Sequence, residues 1–239
     1  MEEKIDEFKD VIKDIKECVK TYEKKTTWIR IPNKNQNTKH IWLFESTNEK
    51  GTYLLKCQAV LKDCDPLKIL KLNNDNNFET RKRWETGELI NIEQLETLVD
   101  ENINIIRYYI NIPVPLVYDR EFLGLQWYDY NEKHKLHRLL HKTVNYDEKY
   151  PCDTEKYVAG NCQTVLLISE RDNDSIVTIY TYVQPNGYIP DLILPLWKEK
   201  LRNRMFLYET LAKSEDYNKI YMCKRCEEYN KYGKKIVDL

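Results

Sequence analysis

Glycine is scarce: six residues in 239, at positions 51, 87, 124, 160, 187 and 233, and never clustered. That excludes a phosphate-cradling loop and a dinucleotide fingerprint. No serine sits in a nucleophile elbow, and carboxylates are too common for spacing to single out an acid/base pair. Long apolar runs are missing as well. Stretches such as Val165-Leu166-Leu167-Ile168 fall far short of a bilayer span, and the charged opening Met1-Glu2-Glu3-Lys4 is unlike a signal peptide. Nor is there an excess of charge of one sign. With 38 Lys and Arg against 39 Asp and Glu, the formal net charge is −1, and a generic nucleic-acid binder is excluded. The seven cysteines follow no framework spacing, so free thiols in a reducing, cytoplasmic compartment are expected.

What is present is aromatic surface, 12% of residues and mostly tyrosine, enough for a folded chain despite 32% charge. Ile5, Phe8, Ile12, Ile15, Val19 and Tyr22 recur at three- and four-residue spacing, which predicts an amphipathic N-terminal helix packed on its own domain. Strands are predicted at Trp28–Ile31, Ile41–Phe44 and Tyr53–Leu61. Asp65-Pro66 reads as an N-cap and first turn, opening a helix over Leu67–Leu72, with a second short helix reaching Trp84. Serial strands follow at Glu88–Leu98, Ile103–Ile112, Phe122–Tyr130, Leu136–Val144, Tyr157–Ser169 and Ile176–Val183, the pattern of an antiparallel meander. Leu192, Leu196, Trp197, Leu201, Met205, Tyr208 and Leu211 then repeat at helical period. Residues 1–213 are expected to form one domain, and 214–239 a charged tail with little to bury.

Two metal-like groupings carry little. His137 and His141 share one side of a predicted strand, where a solvated face is the ordinary reading. Cys223 and Cys226 are half of a zinc ribbon whose other half is absent.

Several strings together resemble the START lipid-transfer family, most closely its phosphatidylcholine-transfer branch. They are Val60-Leu61-Lys62-Asp63-Cys64-Asp65-Pro66; Thr80-Arg81-Lys82-Arg83-Trp84-Glu85, similar to an Arg-x-x-Trp-Asp element; Ile112-Pro113-Val114-Pro115 with Arg120-Glu121-Phe122; and Gln184-Pro185-Asn186-Gly187-Tyr188-Ile189-Pro190. The resemblance covers about residues 22 to 213 and implies an α+β helix-grip fold, a curved antiparallel sheet around a long C-terminal helix enclosing a lipid tunnel. It further implies a monomeric, non-catalytic carrier without a cofactor, whose cargo is one lipid, a glycerophospholipid such as phosphatidylcholine. Such a carrier would be cytoplasmic and touch membrane surfaces transiently.

By the same resemblance, Arg81 stands at the phosphate-binding position, with Glu85 beside it. Tyr108 and Phe122 match two aromatic positions of a choline cage, Ile110 and Gln163 match pocket-lining positions, and a third cage aromatic is Asn161 here. Leu192, Leu196, Trp197 and Leu201 are expected to touch acyl chains on a closing helix that acts as a gate. The alternatives are a sterol or other hydrophobic small molecule on the same fold, an enzyme of the helix-grip superfamily, and an interaction module using the first helix and the tail.

Overall fold

The computed structural model describes residues 8–14, 16–17, 20, 27–33, 38–47, 53–85, 89–98, 102–145, 148–188, 193–214 and 217. Leu192, Cys223 and Cys226 lie outside them, so the expectations placed there go no further.

Ten strands form one sheet. They are β1 (Ile29–Ile31), β2 (Ile41–Thr47), β3 (Tyr53–Leu61), β4 (Leu89–Leu98), β5 (Ile103–Ile110), β6 (Asp119–Asn131), β7 (Leu136–Thr143), β8 (Tyr157–Ala159), β9 (Asn161–Arg171) and β10 (Asp174–Gln184). The order across the sheet is β1-β2-β3-β10-β9-β7-β6-β5-β4, every pair antiparallel, with β8 lying parallel to β6. Most of this is the expected meander. The exception is the seam where β3 pairs with β10, Leu61 opposite Ser175 and Leu55 opposite Thr181.

The predicted strand Tyr157–Ser169 is in fact two. Gly160 divides them, and its backbone N–H bonds to the Glu121 carbonyl at 2.8 Å. An ideal Cβ at Gly160 would stand 2.4 Å from Cε1 of the Phe122 ring, so only a residue without a side chain fits at the crossover.

Helical residues 8–14 form α1. Helix α2 (Pro66–Asn74) begins as its sequence dictates, with the Asp65 side chain accepting from the Leu67 N–H at 2.8 Å and Pro66 in the first turn. Helix α3 (Phe78–Arg81) is capped by Asn77, and α4 spans Ile193–Lys213.

Strand alternation sorts the apolar side chains into two clusters. On the inner face Leu43, Cys57, Leu61, Leu139, Leu166, Ile168 and Ile179 pack with Ile69 and Leu72 of α2 and with Met205 and Tyr208 of α4. On the outer face Ile103, Ile105, Leu123, Leu125, Trp127 and Val165 receive Phe8 and Ile12 of α1. Within the described residues, Phe8 and Ile12 of the N-terminal stripe thus cover their own sheet. Tyr217, in the stretch expected to have little to bury, is 7% exposed and belongs to the inner cluster. Among the described residues, no helix is long and apolar enough to cross a membrane.

Candidate functional site

Between the inner sheet face and the middle of α4 lies a cavity of about 510 Å³, within the range of about 300–1,000 Å³ usual for one small ligand. Its walls alternate out of the strands. Phe122 and Gln126 come from β6, His141 from β7, Cys162, Thr164 and Leu166 from β9, and Thr181 and Val183 from β10. Trp197, Lys200, Leu201, Asn203, Arg204 and Leu207 of α4 close it.

Seven residues singled out from the sequence line this cavity: Arg81, Glu85, Tyr108, Ile110, Phe122, Trp197 and Leu201. Two do not. Gln163 lies between Cys162 and Thr164, and the two-residue period of β9 turns it to the other face. Leu196 is 44% exposed, one residue off the inward stripe of α4. Asn161 is exposed at the start of β9, outside the lining.

At one end the walls become charged. Arg81 is 5% exposed, and both of its terminal nitrogens are engaged. Nη1 donates to the carbonyls of Leu72 and Asn73 at 3.1 and 3.3 Å, Nη2 pairs with Glu85, and the guanidinium lies 4.8 Å from the Trp84 ring centroid. Arg204 of α4 takes the other oxygen of Glu85. One carboxylate therefore serves two guanidiniums. Burial works against the Glu85 charge, but Arg204 and then Arg81 outweigh it and hold the carboxyl below its usual range. Glu85 in turn keeps Arg204 firmly protonated.

His141 and Cys162, which sequence spacing did not connect, meet at the cavity wall with Nδ1 3.3 Å from Sγ. The expected solvated histidine face is not found. His137 is 8% exposed, with Nδ1 3.1 Å from the Tyr128 hydroxyl, and His141 faces the cavity edge-on to Tyr108, ring centroids 4.9 Å apart. Burial, then the nearby Arg81 charge, pushes His141 down to about 4. Burial pushes Cys162 up to about 11, against a hydrogen bond from Thr143. The two form a neutral hydrogen-bonded pair at physiological pH, not a thiolate–imidazolium nucleophile. Among the described residues no group of three His, Cys, Asp or Glu is arranged to hold a metal.

Arg120 gives the family-like strings a physical reason. It is 1% exposed at the start of β6 and donates Nε to the Pro185 carbonyl at 2.7 Å and Nη2 to those of Asn186 and Tyr188 at 3.0 and 3.1 Å. Nη1 donates to the Tyr118 carbonyl. The turn it clasps passes through positive φ at Asn186 (52°) and Gly187 (58°) on the way to α4. Two distant motifs are thus one clamp.

No family model matches the sequence, and no curated protein matches it. Solved structures do. Human STARD10 is 16% identical, with 95% of this chain and 83% of that one covered at a TM-score of 0.67. Human StAR-related lipid transfer protein 5 is 12% identical over 85% and 94%, at 0.70. A STAR-related lipid transfer protein fragment from Xanthomonas axonopodis is 15% identical over 78% and 99%, at 0.64. A curved antiparallel sheet gripping a C-terminal helix over a cavity, shared with these structures, gives the chain the START-type helix-grip fold.

Proposed function

We propose that this chain binds one lipid in the cavity and carries it between membrane surfaces without changing it covalently. The supporting observation is the cavity itself, of about 510 Å³, apolar along Leu55, Ile110, Phe122, Leu166, Val183 and Leu201 and charged at the Arg81–Glu85–Arg204 end. An acyl chain taken from water into such walls gains about 0.8 kcal/mol per CH₂, and a polar end orients the head. A glycerophospholipid is the cargo class that uses both parts. Its two chains need more room than the walls enclose as they stand, so α4 moves outward on loading and acts as the gate. Phosphatidylcholine would find Tyr108 and Phe122 here, but Asn161 supplies no third aromatic wall.

The volume also favours a second reading, a sterol or other compact apolar molecule that fits without displacing α4. Such a ligand has no use for the charged end.

Native mass spectrometry of the purified protein, with extraction and identification of the co-purifying molecule, tests the proposal. A one-to-one adduct of phospholipid mass supports it. Protein that takes up nothing from mixed phospholipid vesicles overturns it, and sterol uptake alone selects the second reading.

A further inference from the structure

Strand β6 places one amide in the cavity wall. Gln126 is 2% exposed and lines the cavity. Its oxygen is fully engaged. Oε1 accepts from Asn76 Nδ2 at 2.6 Å and from Asn104 Nδ2 at 3.3 Å, and Asn104 stands directly opposite Gln126 on β5.

These bonds belong to a closed ring of side chains with a fixed direction. Asn76 Nδ2 also donates to Gln94 Oε1 at 3.2 Å. Gln94 Nε2 donates to Thr97 Oγ1 at 2.6 Å, and Thr97 Oγ1 to Asn104 Oδ1 at 3.0 Å. Two donors thus converge on Gln126 Oε1, and turning this amide over would set its –NH₂ against both of them. What the amide turns to the cavity is Nε2, and no described residue accepts from it.

Two polar neighbours in the cavity wall are occupied elsewhere. His141, opposite Gln126 across the β6–β7 register, meets Cys162 Sγ through Nδ1, and its Nε2 is turned to Gly124, where an ideal Cβ would stand 2.4 Å from it. Asn73 accepts from the Tyr208 hydroxyl and donates to the Ile69 carbonyl at 2.8 Å.

Cargo entering a hydrated cavity displaces water, and a buried donor is then left unpaired unless the cargo brings an acceptor. The match here is narrow, because Gln126 offers donation alone. A carbonyl oxygen only accepts. A hydroxyl brings a proton of its own, and the Gln126 oxygen, with both lone pairs engaged, does not take it. Hydrocarbon leaves the donor with nothing.

Resting on the carrier reading above, we infer that Gln126 is a specificity-determining residue whose Nε2–H donates to the carbonyl oxygen that links a chain to the cargo, in an ester or an amide. The cavity then takes acyl lipids over ether-linked lipids of the same head and chain length. Asn76 and Asn104 are positioning residues that hold the amide. A site built to hydrogen-bond one group rejects the analogue lacking it, because its own buried group stays unpaired.

The test offers full-length protein vesicles holding equal amounts of dioleoyl phosphatidylcholine and its dialkyl ether analogue. In a second arm sphingomyelin, with the same head and an amide-linked chain, replaces the diester. Protein is separated from the vesicles and its bound lipid quantified by mass spectrometry. Wild type should hold the carbonyl lipid about tenfold over the ether lipid in at least one arm, equivalent to about 1.4 kcal/mol. The arm that enriches more separates ester from amide.

Gln126→Met, close in shape and without a donor, should load both lipids in nearly vesicle proportion. Where that variant fails to fold, infrared spectra of wild type decide. With the preferred lipid isotope-labelled at its carbonyl, the bound form should show a hydrogen-bonded band at lower frequency than the same lipid in a hydrocarbon solvent. Wild type loaded in vesicle proportion in both arms, a preference undiminished in folded Gln126→Met, or a bound carbonyl without that band overturns the inference and leaves the carrier reading intact. Protein that loads no lipid from any vesicle overturns both.

Discussion

Glu85 and Arg204 stand 119 residues apart in the chain and form an ion pair. Through it the last helix is tied to the turn that follows α3. Because Glu85 also pairs with Arg81, this carboxylate is the point where both arginines converge. Its removal leaves Arg81, 6% accessible, without its counter-charge. Glu85→Ala should therefore destabilise the protein by about 3–5 kcal/mol, the usual consequence of breaking a buried pair. Urea unfolding monitored by tryptophan fluorescence measures it, and a loss under 1 kcal/mol would refute the assigned role.

Acid stability carries two opposing contributions. His141, pushed down to about 4 in the fold, takes up its proton at about 6.5 in the unfolded chain. Between those values the unfolded state binds more protons, so this group makes stability fall as pH falls from 6.5 to 4. Asp75 acts the other way. Burial, against the Asn77 N–H and the Arg81 charge, raises it to about 6, above an unfolded value near 3.9, so the native state binds more protons across that window and gains stability on acidification. His141→Asn should lessen the acid loss, and Asp75→Asn should steepen it. Melting temperatures from pH 4 to 7 for the three proteins decide, and parallel curves would contradict both assignments.

Arg120 has a geometric task that charge alone does not meet. Three carbonyls of the turn before α4 lie within 2.7–3.1 Å of its planar fork, and an ammonium cannot reproduce that arrangement. Arg120→Lys should behave like Arg120→Ala, with a lower melting temperature and fast amide exchange at residues 184–188. Native-like protection in Arg120→Lys would show that the positive charge suffices.

The start of α4 is tethered more lightly than its middle. Lys198 Nζ lies 2.6 Å from Glu45 Oε2 on β2, and the same oxygen accepts from the Tyr53 hydroxyl at 2.5 Å. Partly exposed pairs of this kind contribute about 0.2–1 kcal/mol. Lys198→Met should hardly change the melting temperature yet quicken lipid exchange between vesicles, if α4 is the gate. Exchange no faster than wild type would argue against α4 opening at this end.

Local chemistry made much of the fold legible. Tyr53–Leu61 is a strand over the predicted bounds, buried at alternate positions from Leu55 to Leu61, and Asp65-Pro66 starts α2 where capping requires. Arg81, Glu85 and Phe122 were readable through motif order, because each motif is a local string, and Tyr108 only through the wider resemblance. Arg204 was not. On a helical wheel it is one more charged residue, and its meeting with Glu85 depends on how α4 lies across the sheet. The His141–Cys162 contact likewise needed the pairing of β7 with β9, in which His141 stands opposite Thr164. Gly160 gave no warning of a strand break, because the reason for it is the Phe122 ring of another strand.

The pairing of β3 with β10 also sets the order in which the molecule can be assembled. Strands β4 to β9 find their partners close by in sequence and can join as the chain is made, whereas β3 must wait more than a hundred residues for β10. Bringing such distant segments together is the slow part of folding a sheet. The cavity wall formed by Thr181 and Val183 and the helix that closes over it therefore arrive last. Until then the inner face of the first three strands is exposed, and a hydrophobic ligand met at that stage would be enclosed by the chain as it folds.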